Sequence, residues 1–182
     1  MALINARSLR NKTLLVHDYV DDCSADIAAL TETWLGDEDN ASVSELCRDT
    51  FSLAHQPRGG ARRGEGVGVL FRQSFQLMSR VSIDTCASET LSVTQRNACI
   101  DCTTRVIVMY TPPSSCFSTF IDDVSKVLLI AAAHPTETIV CGDFNTRYKD
   151  STCTNTNNLE DLLDTSGFAQ HVSDALTKVV IY

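Results

Sequence analysis

Polar side chains follow three apolar runs of the sequence, each at the point where the run ends. Glu32 follows "DIAAL", Tyr110 follows "RVIVM", and Asp143 and Asn145 follow "TIVC". Asn5 lies near the end of the first extended segment. Ligands gather at the carboxyl ends of strands in open or layered sheets. If these runs are inner strands of one layered structure, the five side chains are expected to converge.

Side chains of these types suit a reaction at a phosphate. Glu32 could hold a hard cation such as Mg²⁺ through oxygen, and such a cation neutralises charge in a displacement reaction. Asp143 is the right type to orient or deprotonate a water, whereas Asn145 and Tyr110 donate hydrogen bonds without adding charge. A lone acid after a strand more often caps a turn, and a tyrosine there more often belongs to the core. Only the joint pattern predicts a site.

The segments that would position these residues alternate between strand and helix patterns. Strand patterns run through "LINARSL", "ADIAALTETW", "FSLAHQ", "GVGVLF", "FQLMSRVSI", "ETLSVT", "TRVIVMY", "TETIVCGDFN" and "TKVVIY", and "ACIDC" is expected to pair with "TRVIVMY" as a hairpin. Helical spacing appears in "NKTLLVHDYV", in "NNLEDLLDTSGF" and after Ser115, which is expected to cap its helix. The polar, charged stretch through Asp49 shows neither pattern. The alternation predicts an α/β fold.

Length and composition are those of one globular domain, with 182 residues, 43% of them hydrophobic and 21% charged. The net charge of −8 gives no general attraction to nucleic acid, so such a partner would need a local basic patch. Arg7 and Arg10 interrupt what would be the apolar stretch of a signal peptide, and no segment has the apolar length of a membrane span. We therefore expect an intracellular protein without a membrane partner, with nucleus and cytoplasm both open.

Eight cysteines are scattered along the chain. Only Cys99 and Cys102 form a C-x-x-C pair, and no second pair stands nearby to complete a zinc site. If that stretch is a strand, the two thiols point to opposite faces. The sequence thus predicts free thiols in a reducing compartment.

Six segments, in this order and at roughly this spacing, resemble a known family. They are "NARSLRNK", "DIAALTETWL", "RRGEGVGVLFR", "VIVMYTPP", "IVCGDFNTR" and "LLDTSGFAQHVS". The chain resembles the endonuclease domain of LINE-type (non-LTR) retrotransposons, a branch of the endonuclease/exonuclease/phosphatase superfamily that is similar to apurinic endonucleases. The resemblance covers nearly the whole chain.

The resemblance implies a four-layered α/β sandwich, two packed β-sheets flanked by helices, over a single domain of residues 1–182. It also implies hydrolysis of a DNA phosphodiester with Mg²⁺ or Mn²⁺, as in retrotransposon target-site nicking. By motif match, Asn5 and Glu32 fall on the metal positions and Tyr110 on a phosphate-contacting tyrosine. Asp143 and Asn145 fall on the pair that orients the attacking water and holds the phosphate.

The family pattern continues beyond the point where this sequence ends at "ALTKVVIY". It goes on to a strand with an aspartate and then to an "SDH" element, whose acid and histidine complete the proton-handling site. His171 falls on another position and is no substitute. We expect a domain that lacks the last strands of the fold, with impaired activity and an uncovered sheet edge through which copies associate.

Arginines could supply the local positive charge that DNA requires. Arg58, Arg62 and Arg63 lie in the loop "QPRGGARRGEG", and Arg147 follows the "GDFN" motif. Phosphate contacts need only local positive charge. A solvated loop with ordinary solubility charges is an equal alternative, and neighbouring Glu65 weakens the patch.

Three functions agree with the sequence. The first is a metal-dependent endonuclease that acts on DNA. The second is a catalytically dead remnant of that domain that binds nucleic acid or a protein, which the missing acid and histidine favour for this chain. The third is a phosphatase for another phosphate ester, such as an inositol phosphate or a phospholipid head group. Abasic DNA and phosphoinositide substrates would separate the first function from the third.

Overall fold

The computed structural model describes residues 1–48, 50–57, 65–145, 154–170 and 178–181. Strands and helices alternate in the first and last parts of these residues, and five strands follow one another between them. The strands are β1 (Ala2–Asn5), β2 (Ile27–Thr31), β3 (Phe51–Gln56), β4 (Val67–Arg72), β5 (Phe75–Ile83), β6 (Glu89–Asn97), β7 (Cys102–Tyr110), β8 (Thr138–Asp143) and β9 (Lys178–Ile181). The helices are α1 (Thr13–Asp22), α2 (Asn40–Cys47), α3 (Phe117–Ala132) and α4 (Thr154–Ser166).

The strands form two mixed sheets. The four-stranded sheet has the order β1-β2-β4-β3, and the five-stranded sheet has the order β5-β6-β7-β8-β9. β1 runs parallel to β2 and β7 runs parallel to β8, whereas the other neighbours are antiparallel. A parallel pair needs a crossover connection, which α1 supplies in the first sheet and α3 in the second. Each sheet therefore brings the carboxyl ends of two strands to one edge.

Apolar side chains fill three layers between these elements. Val69, Val93 and Val108 belong to the layer between the two sheets. α3 and α4 cover the outer face of the five-stranded sheet, where Val124 and Leu163 are buried. α1 and α2 cover the outer face of the four-stranded sheet. The four layers are helices, sheet, sheet and helices, which confirms the predicted α/β sandwich.

Three local features differ from the sequence-based expectations. The spacing does not predict α2, because Leu46 is its one buried residue and no apolar stripe marks the helix. Cys116, not Ser115, precedes the first turn of α3, and the Ser115 hydroxyl lies 3.5 Å from the Ala87 carbonyl oxygen. The hairpin before Tyr110 pairs β7 with β6, and most of "ACIDC" forms the turn between them.

The cysteines among the described residues are free thiols, as predicted. Cys141 is buried, whereas Cys23, Cys86, Cys99 and Cys116 are exposed. Within the described part of the chain, no helix is both long enough and apolar enough to cross a membrane.

Candidate active site

The carboxyl ends of the two parallel strand pairs face each other across the sandwich. In the four-stranded sheet, Asn5 at the end of β1 is the register partner of Thr31, and Glu32 follows Thr31 directly. In the five-stranded sheet, Tyr110 and Asp143 are register partners at the ends of β7 and β8. β1 and β2 pack against β8, which brings these two edges together. The predicted convergence of the five side chains therefore occurs.

The Asn5 side chain joins the two sheets. Its Nδ2 group donates to Glu32 Oε1 at 2.8 Å and to Asp143 Oδ2, also at 2.8 Å. Its Oδ1 atom accepts a hydrogen bond from the Arg7 amide at 3.2 Å. One neutral amide thus holds two carboxylates from different sheets beside each other, and donors of this kind offset their mutual repulsion.

Tyr110 lies among three carboxylates. Burial raises the pKa of its phenol well above the ordinary range, and the charge of Glu32, a hydrogen bond to Glu32 and the charges of Asp143 and Glu89 raise it further. The side chain is only 5% exposed. Each of these causes disfavours the phenolate, so the hydroxyl keeps its proton and remains a hydrogen-bond donor.

The "DFN" segment begins at the last residue of β8. Asp143 is 4% exposed, and the Asn145 amide N–H donates to its Oδ1 at 3.3 Å. The Asn145 Nδ2 group donates to the Thr111 carbonyl oxygen at 2.8 Å. Phe144 is buried between them and contacts Phe120 with a ring distance of 5.4 Å. Because successive side chains of this segment lie on opposite sides, the acid and the amide lie at the site and the ring lies in the core.

Backbone in the left-handed region is concentrated around this edge. Residues with positive φ here are Arg7 (44°), Ser8 (78°), Glu32 (52°), Trp34 (56°) and Asn145 (49°). Each such conformation costs roughly 1–3 kcal/mol in a residue other than glycine and persists only where other contacts impose it. The Ser8 amide donates to the Glu32 carbonyl at 2.9 Å, which is one of those contacts. Clustered strain of this kind is typical of functional sites.

The donor atoms at the site fit a hydrated hard cation. Carboxylate oxygens of Glu32 and Asp143 and the amide oxygen of Asn5 are the ligand types that Mg²⁺ takes, usually with several waters retained. Within the described ranges, no group of three His, Cys, Asp or Glu residues is arranged to enclose a metal. One or two carboxylates completed by waters and a substrate phosphate therefore match this site better than a closed structural metal centre.

Other predicted residues lie outside the part of the chain that the structure describes. These are the four arginines expected to contact DNA, Arg58, Arg62, Arg63 and Arg147, and also His171. The contact of the four arginines with nucleic acid stays a prediction.

Sequence reasoning missed two residues that shape the site. Glu89 is the register partner of Tyr110, and its Oε2 accepts a hydrogen bond from the Gly66 amide. The Thr111 carbonyl oxygen accepts a hydrogen bond from the Asn145 side chain, and the Thr111 backbone amide donates to the Asp143 carbonyl oxygen at 3.0 Å. The antiparallel pairing of "ETLSVT" with "TRVIVMY" is the signal that could have placed Glu89 beside Tyr110.

Comparisons with solved structures find the same fold. The catalytic domain of human Nocturnin with bound sulfate shares 15% identity, with a TM-score of 0.70, over 96% of this chain and 74% of that one. D. rerio TDP2 complexed with a single-strand DNA product shares 12% identity, with a TM-score of 0.66, over 99% and 81%. A mannosyl-6-phosphatase from Bacteroides thetaiotaomicron shares 10% identity, with a TM-score of 0.72, over 99% and 83%. At these identities the likeness shows the fold alone.

Sequence comparison gives a more specific result than the fold. A search of the curated proteins gives no match. The family model described as Endonuclease/Exonuclease/phosphatase matches residues 2–176, which include the five side chains of the candidate site. Because that match spans nearly all of the sequence and its fold agrees, the chain belongs to the endonuclease/exonuclease/phosphatase family.

Proposed function

We propose that residues 1–182 form a single domain that hydrolyses a DNA phosphodiester with the help of Mg²⁺, as the endonuclease domains of LINE-type retrotransposons do. The observation that carries the proposal is the Asn5 amide, which donates to Glu32 and to Asp143 at 2.8 Å and so gathers acids from both sheets at one point. The protonated phenol of Tyr110 is hydrogen-bonded to Glu32 in this structure and becomes a donor for an anionic substrate when it leaves that partner.

The metal-binding side of the site is the four-stranded sheet. Enzymes of the family generally use divalent metal ions. Glu32 would hold the ion, and the Asn5 amide oxygen, which accepts from the Arg7 amide in this structure, would join it after the Asn5 amide group rotates, with waters and the substrate completing the shell. A bound divalent ion neutralises charge on a phosphate and polarises its oxygen atoms. Mg²⁺ and Mn²⁺ share this preference for oxygen ligands, so the donor set suits both.

Asp143 is the residue that orients the attacking water and accepts its proton. Its two oxygens already accept hydrogen bonds from Asn5 and from the Asn145 amide, which fix the plane of the carboxylate. A carboxylate held in this way has lone pairs left for a water. General-base assistance of this kind contributes about 10²–10⁴-fold to a rate.

Tyr110 and Asn145 bind the phosphate. One N–H of the Asn145 amide is used by the Thr111 carbonyl, which fixes the direction of the other. Tyr110 keeps its proton because burial and the surrounding carboxylates raise its pKa. Neutral donors aimed at a phosphate stabilise charge that develops on its oxygens without attracting a competing cation.

A small phosphate ester is a second candidate substrate. The net charge of −8 disfavours the approach of a polyanion. The similar structures also include a sugar-phosphate phosphatase. The same site chemistry suits a DNA phosphodiester and a small phosphate ester, so the surface around the site determines which of the two substrates binds.

Nicking of supercoiled plasmid tests the proposal. Purified protein is assayed with Mg²⁺, with EDTA, and as the variants Glu32→Gln and Asp143→Asn, with Asp122→Asn as the matched control. Asp122 is an exposed acid on α3, so we expect its variant to keep wild-type activity. We expect EDTA to abolish nicking and each site variant to lower the rate on the order of 10²–10³-fold.

The other outcomes separate the alternatives. Turnover of abasic or plasmid DNA without turnover of an inositol phosphate favours the endonuclease, and the reverse favours a phosphatase. A folded protein that hydrolyses neither substrate refutes the proposed activity and leaves a binding role. Nicking that resists EDTA, or that Glu32→Gln leaves intact, contradicts the roles given to the metal and to Glu32.

A further inference from the structure

A buried carboxylate outside the site anchors one of its loops. Asp123 lies on α3 and is 3% exposed. Its Oδ1 accepts a hydrogen bond from the Cys86 amide at 2.8 Å, and its Oδ2 accepts from the Ala87 amide at 2.8 Å and the Ser88 amide at 3.0 Å. The three amides belong to the connection between β5 and β6. A buried charge needs such partners, because leaving it without them is costly.

The anchored loop continues by hydrogen bonds into the site. The Ser88 and Thr111 hydroxyls lie 2.9 Å apart, and both residues are buried. The Thr111 carbonyl accepts from Asn145 Nδ2 at 2.8 Å, and the Thr111 amide donates to the Asp143 carbonyl at 3.0 Å. Asp123 therefore reaches Asn145 through Ser88 and Thr111 without touching the site itself.

We propose that Asp123 is a positioning residue that sets the direction of the Asn145 amide and the place of Asp143 through Ser88 and Thr111. The positioning is a property of the folded chain. Its effect on turnover rests on the proposed phosphodiesterase function.

The three-donor arrangement explains why a carboxylate occupies this position. An ionised carboxylate only accepts hydrogen bonds and has room for several donors on its two oxygens. An asparagine at position 123 would turn an NH₂ group toward one set of amides, and at least one backbone N–H would lose its acceptor. The loop would then shift, and Ser88 would move with it relative to Thr111.

Side-chain amide spectra test the positioning without any activity. The Asn145 NH₂ cross-peaks of ¹⁵N-labelled protein are assigned by their disappearance in Asn145→Asp. We expect Asp123→Asn to shift these peaks or broaden them, whereas Asp122→Asn leaves them in place. The two variants make the same chemical change at neighbouring positions of α3, one buried and one exposed. Asn145 peaks unmoved in Asp123→Asn would overturn the proposal.

A second variant serves if Asp123→Asn does not fold. Ser88→Ala removes one hydroxyl from the connection and leaves the three amides on Asp123 intact. We expect it to move the Asn145 peaks as well, since it breaks the bond to Thr111. Melting curves establish that each variant is folded before its spectrum is compared. Unchanged Asn145 peaks in folded Ser88→Ala would refute the connection.

Turnover tests the catalytic consequence in a double-mutant cycle. We expect Asp123→Asn to lower kcat by roughly 10- to 100-fold with KM little changed, because misplacement by about 1 Å has an effect of that size. If Asp123 acts through Asn145, Asp123→Asn adds little further loss in an Asn145→Ala background. Losses that multiply would contradict the inference. A wild-type protein without hydrolysis would overturn the proposed function instead, and the amide spectra would still decide the positioning.

Discussion

Gly142 lies in β8 where an added Cβ would meet the backbone of β7, and its replacement by alanine is the sharpest test of the site geometry. Gly142 is the register partner of Met109, one position before the pair formed by Tyr110 and Asp143. A Cβ atom at position 142 would lie 1.9 Å from the Met109 carbonyl oxygen and 2.8 Å from its carbonyl carbon. Both atoms belong to backbone, so no side-chain rotation relieves the overlap.

The size of the effect follows from that distance. Real Cβ atoms essentially never come within 3.0 Å of a heavy atom outside their own residue and its chain neighbours, so β8 must move about 1 Å away from β7. Overpacking of this kind costs about 1–3 kcal/mol of the free energy of unfolding, and more where backbone has to move. The shift also separates Asp143 from Tyr110, and a displacement of about 1 Å lowers turnover by about 100-fold.

Urea unfolding and phosphodiester hydrolysis, measured on the same preparations, check both parts. Gly68→Ala is the matched control, because Gly68 also lies inside a strand but its added Cβ would meet the His55 Cβ at 3.2 Å, which a small adjustment relieves. We expect the control to unfold close to the wild-type midpoint. A Gly142→Ala protein with the wild-type midpoint and rate would refute the close approach of the two strands.

Three further expectations concern charge and protonation. Asn5→Asp replaces the shared donor with a third carboxylate and is expected to lower the free energy of unfolding by about 1–3 kcal/mol near pH 7, with recovery in Mg²⁺, measured by urea unfolding. The raised pKa of Tyr110 means that the folded chain holds this proton more tightly than the unfolded chain, so stability falls as the pH rises past about 10. Tyr110→Phe is expected to flatten that fall, measured by urea midpoints between pH 8 and about 11. Iodoacetamide at neutral pH is expected to label Cys116 early, because hydrogen bonds from the Ser118 hydroxyl and from backbone amides lower its thiol pKa. It should label Cys141 last, because burial raises that thiol pKa to about 12, and peptide mass spectrometry gives the order.

Each expectation has a result that contradicts it. An Asn5→Asp protein as stable as the wild type, with no response to Mg²⁺, would mean that the amide does not offset carboxylate repulsion. An unchanged pH dependence in Tyr110→Phe would show that ionisation of the buried Tyr110 phenol does not cause the fall in stability. Labelling of Cys141 at the rate of Cys116 in native protein would show that β8 opens readily.

The sequence predicts which side chains converge better than it predicts the contacts that hold them in place. Buried runs end visibly before Glu32, Tyr110 and Asp143, and the alternation of strands and helices implies parallel pairs whose ends meet. Local patterns therefore suffice to predict that these side chains converge. The role of each side chain in metal binding, water activation or phosphate binding stays a prediction. The contacts of the four arginines with DNA stay predictions too.

Contacts between distant segments explain what the sequence does not reveal. Asp123 falls in the apolar stripe of α3, where a carboxylate contradicts the helical pattern, and its three donors belong to a loop more than thirty positions earlier. Glu89 gains its place beside Tyr110 only through the register of β6 on β7. α2 buries Leu46 alone, so its helix depends on packing rather than on spacing.

The amide bridge made by Asn5 also constrains when the site forms during synthesis of the chain. Asn5 and Asp143 are 138 positions apart, and the sheets that carry them must dock before the hydrogen bond exists. Contacts of such sequence separation form late, since the loop between them has to be closed first. A nascent chain of which only β1, α1 and β2 have emerged from the ribosome contains Asn5 and Glu32 but no completed site. The ability to bind a ligand there therefore appears in one late step, and ligand binding during refolding would report the docking of the two sheets.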